Sequence, residues 1–211
     1  MAQSFTLYGH FLSGPSVKVG LMLRLCRQPF AFRLVDLRAG AHRQPDYLRL
    51  NRFGQVPALV HGGRSFCQSN GILEYLAETL DRFGGADAAA RAAVRAWLYW
   101  DFDRLSPGIF RSRAAARGIM SFDPAVLAFF RQAGEAGLAE LDRALADQPF
   151  LAGAEPTIAD IACHVVAAYA PEAGLDLAPH ANLRAWAARM AALPGARPVT
   201  EVLPQSDAEV A

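Results

Sequence analysis

The chain has 211 residues, 53% of them hydrophobic and 19% charged, with a formal net charge of +1, which is enough apolar material for one large core or two small ones. It carries no block of Lys and Arg of the kind that nucleic-acid or membrane-surface binding requires. Three cysteines, Cys26, Cys67 and Cys163, stand far apart without a CxxC pair, which excludes a disulfide framework and a zinc site and fits a reducing cytoplasm.

The first 82 residues alternate between strand and helix periods. "SFTLYG" reads as a strand, "SVKVGLMLRLC" as a helix apolar on too many faces to be exposed, and "FAFRLVDL" as a second strand, together a βαβ unit. A short helix follows from Pro45 to Leu50, then the strand "PALV", a Gly62-Gly63 turn, a short strand near Ser65 to Cys67, and the helix "SNGILEYLAETL". The order is βαβαββα. A two-residue Gly-Gly connection predicts an antiparallel hairpin, so the sheet should be mixed.

From Asp87 onward strand signals vanish, after the linker-like "RFGGAD". One long helix is expected from Ala88 past Trp97 and Trp100, bent at Pro107, and a second from Asp123 and Pro124, a cap followed by proline. A third begins at "PTIADIACHVV", where Thr157 and Asp160 stand three apart as a capping box ahead of a segment apolar on nearly every face. A fourth covers Ala181 to Leu193. Residues 1–82 and 88–211 are thus expected as an α/β domain and an all-helical domain. Split after Phe83, the halves carry 10 basic and 5 acidic residues against 11 basic and 15 acidic; the basic excess of the first favours an anionic ligand there or simply reflects a solvated surface. Nothing at the N-terminus reads as an export signal, and the longest apolar run, around Ile161 to Ala170, is interrupted by His164 and too short to span a bilayer.

Three stretches carry chemistry. In "GQVPALV", Pro57 stands at the mouth of a strand although it cannot donate to a ladder. A cis Val56–Pro57 bond would account for it, leaving the N–H and C=O of Val56 to pair with an extended peptide ligand. In "QSNGILEYLAE", Gln68 and Ser69 open a helix whose N-terminal amides suit a carboxylate, although Ser69 could equally cap its own helix. In "FLSGPSVKVG", Ser13 and Ser16 stand at a strand-to-helix turn, either as caps or as hydroxyl donors to an anion. Neither lies in a GxSxG elbow, and no histidine completes a triad.

These stretches, "LYGHFLSG", "LNRFGQVPAL", "QSNGILEYLAE" and the later "FLAGAEPTIADI", resemble in their order the glutathione S-transferase superfamily over nearly the whole chain. The N-terminal serine and "WLYWDFDRLSPGIFRSR" are most similar to serine-type theta and nu-like branches of bacteria and fungi. The resemblance implies a thioredoxin-like first domain and a helical second one. It implies Ser13 as the catalytic residue, bonded to the sulfur of glutathione. Val56 would pair with the cysteinyl backbone beside cis Pro57, Gln68 and Ser69 would hold the γ-glutamyl end, and His42, Gln55 or both would approach the glycyl carboxylate. A small hydrophobic electrophile would lie against Phe11, Leu12, Tyr99, Phe102 and Phe110. The family also implies a cytoplasmic homodimer, with glutathione as co-substrate and without metal, nucleic acid or membrane. The alternative is a member that keeps the fold as a binding or scaffold protein.

The chain departs from the family pattern at Pro15, Arg52, Gln68 and Gly71. If Pro15 shifts its turn, Ser16 takes the place of Ser13 or the thiol is left unassisted. Thiol-disulfide exchange would need a cysteine where this chain has Ser13 to Ser16.

Overall fold

The computed structural model describes residues 4–211. They divide into two units, 4–82 with 193–211, and 83–192.

The first unit holds a five-stranded mixed sheet in the order β4-β3-β1-β2-β5. β1 (Phe5–Gly9) and β2 (Phe30–Leu34) run parallel, joined by helix α1 (Gly14–Leu25). After a short helix α2 (Pro45–Leu50), β3 (Ala58–His61) pairs antiparallel with both β1 and β4 (Arg64–Cys67), and helix α3 (Ser69–Leu80) follows. The expected βαβαββα order and its hairpin are both present. Gly62 and Gly63 adopt φ of 58° and 72°, the left-handed pair that a tight two-residue hairpin demands. Phe5, Leu7, Val17, Leu21, Phe32, Leu59, Ile72 and Leu76 are buried, each such side chain contributing about 1.5–3 kcal/mol by leaving water.

The last 19 residues depart from the expected all-helical span 88–211: residues 193–211 return to the first unit and end in strand β5 (Ala208–Val210). β5 pairs antiparallel with β2, Phe30 opposite Val210 and Phe32 opposite Ala208. Its docking is specific. Arg24 Nε donates to the Val202 carbonyl at 2.7 Å, the Leu34 N–H to Asp207 Oδ1 at 2.8 Å, and Arg33 pairs with Glu209 at 2.7 Å. Gly20 on α1 makes room for it, since a Cβ there would lie 2.5 Å from Leu203 Cδ2. The tail thereby covers an otherwise open sheet edge.

The second unit is helical: α4 (Ala88–Trp100), α5 (Ser106–Ala116), α6 (Pro124–Ala144), α7 (Ile158–Ala168) and α8 (Ala181–Ala191). The long helix expected from Ala88 past Trp100 is interrupted just before Pro107. A π-turn at Asp101–Leu105 takes up the irregularity, leaving Pro107 in the first turn of α5, where its missing N–H costs nothing. α5 and α6 approach closely enough that a Cβ on Gly108 would lie 2.4 Å from the Gly134 nitrogen. α7 is buried along most of its length, as its composition implies.

Asp160, fully buried, closes the capping box with Thr157 and does more. It accepts from the N–H groups of Leu151 and Thr157, the Thr157 hydroxyl, and the Trp186 indole N–H, all between 2.8 and 2.9 Å. Burial raises its carboxyl pKa above the ordinary range despite these donors. Asp160→Ala would strand several buried donors at once, so we expect a loss of about 3–5 kcal/mol, read from urea unfolding. His164 lines a cavity of about 50 Å³ with Ala167, Leu177, Leu183 and Arg184. Burial holds its ring down to about 4 from an ordinary 6.5. The unfolded chain therefore takes up this proton first on acidification. The stabilisation is complete above about pH 6.5 and declines toward pH 4, with a slope of at most about 1.4 kcal/mol per pH unit. His164→Leu should flatten the fall in Tm across that window relative to the unsubstituted protein.

Candidate functional site

Strand register determines what lies together. β3 runs antiparallel to β1 with Ala58 opposite Tyr8, and β4 antiparallel to β3 with Cys67 opposite Ala58. The C-terminal end of β1, the start of β3 and the end of β4 therefore share one end of the sheet. The stretches His10–Ser16, Gln55–Pro57 and Gln68–Ser69 leave from it.

The Val56–Pro57 peptide bond is cis, and β3 begins only at Ala58. Among the described residues, neither the N–H nor the C=O of Val56 pairs with another group of the chain. The neighbouring carbonyls are held from behind. Asn51, 1% exposed, donates from Nδ2 to the carbonyls of Gln55 at 2.6 Å and Pro57 at 3.2 Å. The Tyr47 hydroxyl also donates to the Gln55 carbonyl at 2.7 Å. Burial raises the Tyr47 phenol above its ordinary pKa, keeping it a donor. Asn51 Oδ1 takes the Phe53 N–H at 3.0 Å, closing the turn that leads into this segment.

Ser13 is the N-cap of α1, its Oγ accepting the Ser16 N–H at 3.4 Å. This uses an oxygen lone pair and leaves the O–H to donate elsewhere. The side chain is half-buried, whereas Ser16 is 0% exposed, with its Oγ turned back to accept the His10 N–H at 3.3 Å. Pro15 sits in the first turn of α1, where no N–H is required, so the turn keeps Ser13 at the cap.

Gln68, not Ser69, is the N-cap of α3, and Ser69 is its first helical residue; no side chain caps this helix. The capping role open to Ser69 in the sequence is therefore not used. Gln68 adopts φ 65° and ψ 111°, an unfavourable conformation for a residue with a Cβ. Its exposed amide Nε2 donates to Gln55 Oε1 at 3.1 Å. His42, half-buried in the single turn Ala41–Arg43, belongs to the same surface: a Cβ on Gly54, next to Gln55, would lie 3.3 Å from the His42 carbonyl oxygen. His42 Nδ1 is buried without a hydrogen-bond partner.

The residues assigned to an electrophile pocket divide between the units. Phe11 and Leu12 lie half-buried in the turn before Ser13, Phe11 stacked on His10 with ring centroids 4.6 Å apart. In the helical unit, Tyr99 and Phe102 are 72% and 68% exposed, while Phe110 packs edge-on against Tyr169 at 6.3 Å. Of the cysteines, Cys163 is buried, and burial pushes the Cys26 thiol up to about 11, away from reactivity. Among the described residues no group of three or more His, Cys, Asp or Glu could hold a metal ion, and no helix is long and apolar enough to cross a membrane.

Residues 3–78 match the family model for the glutathione S-transferase N-terminal domain, and residues 124–189 the model for the C-terminal domain. The chain belongs to the glutathione S-transferase superfamily. It is 34% identical to maleylacetoacetate isomerase of Rhizobium meliloti over 92% of its length and 88% of that protein's. It is 32% identical to glutathione S-transferase 3 of Zea mays, with 94% of each chain covered. The crystal structure of a glutathione S-transferase from Xanthobacter autotrophicus Py2 superposes with a TM-score of 0.86 at 33% identity, covering 95% of this chain and 100% of that one. The thioredoxin-like first domain and helical second one expected from the motifs are thus the fold of a glutathione transferase.

Asn51, Tyr47 and His10 were not among the sequence-derived site residues. Asn51 had one legible signal, an amide two residues before Phe53 in "NRFG", where an Asx turn forms. Asn51→Ala should cost about 1–3 kcal/mol by leaving the buried Pro57 carbonyl unpaired, and should speed amide exchange across residues 52–58. Asn51→Asp should be worse, since a carboxylate would face two carbonyl oxygens with nothing to donate. Thermal melts and hydrogen exchange of the two variants test this ordering.

Proposed function

We propose that the protein binds glutathione at the end of the sheet shared by β1, β3 and β4, stabilises its thiolate, and transfers it to a small apolar electrophile. The observation that carries this reading is a convergence within a glutathione transferase fold. The free O–H of Ser13, the unpaired backbone of Val56 and the uncapped first turn of α3 leave the same end of one sheet.

Only the thiolate attacks electrophiles, and a free thiol has a pKa of about 8.5. The Ser13 hydroxyl has no useful acidity and cannot serve as base. As a donor to ionised sulfur its bond contributes about 1.5–3 kcal/mol, roughly one to two pKa units, which makes thiolate dominant near neutral pH. The proton leaves to water.

Binding follows from what each group lacks. Val56 offers one N–H and one C=O, which suit the cysteinyl backbone of an extended tripeptide. The amide of Gln68, the Ser69 hydroxyl and the positive end of α3 suit the γ-glutamyl carboxylate. His42, Gln55 or both would approach the glycyl carboxylate, and Phe11 and Leu12 would offer apolar surface beside the sulfur. The family implies a cytoplasmic homodimer.

Ser13→Ala should lower turnover by about 10- to 100-fold and leave glutathione affinity within about threefold. Turnover with a panel of aromatic and alkyl electrophiles gives the first quantity, and calorimetry the second. Unchanged turnover would refute Ser13 as the thiol partner. Absence of saturable glutathione uptake would instead favour the scaffold alternative.

A further inference from the structure

One residue with no role assigned above makes three hydrogen bonds within the turn between β1 and α1. The His10 carbonyl accepts the Ser13 N–H at 2.9 Å. Its Nδ1 accepts the Leu12 N–H at 3.2 Å, and its own N–H donates to Ser16 Oγ at 3.3 Å. The bond from the Ser16 N–H to Ser13 Oγ joins the two serines. A side-chain acceptor bonded to the N–H two residues ahead is the arrangement that Asn and Asp make in an Asx turn; here an imidazole supplies it.

Only a ring with a lone pair on Nδ1 can accept that N–H, so the bond assigns the proton to Nε2. A ring protonated at both nitrogens would set two donors against each other. Burial lowers the pKa of His10 below its ordinary 6.5, with the Asp36 carboxylate opposing, and this favours the neutral form. Stacking on Phe11 further restricts the ring.

We propose that His10 is a positioning residue for the thiol-activating serine: its Nε2–H tautomer, through the Leu12 N–H, fixes the turn that aims the Ser13 hydroxyl. This rests on Ser13 being the thiol partner. His10 need not touch glutathione; it acts by holding a short loop whose slack would lengthen a hydrogen bond to sulfur.

Two amide substitutions separate this role from general packing. In His10→Asn the side-chain oxygen sits where an Asx turn needs it, whereas in His10→Gln the same amide is one methylene too far. The pKa of the bound thiol, followed by thiolate absorbance in glutathione-saturated protein, is the readout. His10→Asn should keep that pKa and kcat close to the unsubstituted values. His10→Gln should raise the pKa by about one unit and lower kcat about tenfold near pH 6.5, with the KM for glutathione within about threefold. Equal behaviour of the two variants, whether both intact or both impaired, would overturn the proposal. Ser13→Ala measured alongside locates the failure. A thiol pKa that moves with Ser13 but not with His10→Gln sinks the His10 role alone, whereas a thiol pKa indifferent to Ser13 removes the reading beneath it.

Discussion

A backbone that cannot complete its ladder organises the site. Pro57 has no N–H, so the pairing of β3 with β1 begins at Ala58, and Val56 is left at the end of the sheet with both polar backbone groups unpaired. Such groups are costly unless water or a ligand satisfies them. The fold keeps them available by tying down their neighbours, since Asn51 and Tyr47 occupy the carbonyls of Gln55 and Pro57 from the protein side. An extended peptide docked as one more piece of strand, as proposed above, would meet Ser13 and Ser69 leaving the same end of the sheet.

That geometry suits chemistry without a titrating base. The groups assigned to the sulfur and to the γ-glutamyl end are two hydroxyls, the Gln68 carboxamide and the first turns of two helices, all of which stabilise negative charge without changing protonation near neutrality. A thiolate is a modest goal, because its parent thiol lies only one to two pKa units above neutral pH. One charge-assisted hydrogen bond has the right magnitude. A stronger base would add little, and a full positive charge beside the sulfur would hold the thiolate so firmly as to blunt its attack.

Much of this was legible in the sequence because punctuation residues carry it. Pro57, the Gly62-Gly63 pair, the Ser13 cap and the Thr157-Asp160 box each announce a backbone geometry, and the structure has all four. What escaped were features made by partners distant in sequence. β5 is three residues long within a polar, proline-containing tail, and only its pairing with β2 makes it a strand. Asn51 reads as an ordinary helix end until its amide is seen bridging two carbonyls four and six residues on. Ser69 was open to a capping role because serine so often caps, yet Gln68 takes that place. His10 carries the proton-bearing side chain least expected in an Asx turn, so composition gave no hint of it. Pro107 signalled an irregularity in the long helix, and the chain places it just before the proline, where Asp101 and Ser106 bond across the π-turn at 2.8 Å.

The conformation of Gln68 ties these levels together. A residue with a Cβ held at φ 65° and ψ 111° carries a backbone cost of order 1–3 kcal/mol, which a glycine would largely avoid. The cost persists because both flanks are fixed: Cys67 pairs with Ala58 on one side, and the Ile72 N–H closes on the Gln68 carbonyl on the other. The chain must turn between them within one residue, and it is this turn that points the first amides of α3 toward the end of the sheet. Glycine would make the same turn, but without the side-chain amide that bridges to Gln55 Oε1 at 3.1 Å and links two of the stretches proposed to hold the ligand. Strain is thus retained where one residue must both reverse the chain and present a polar group.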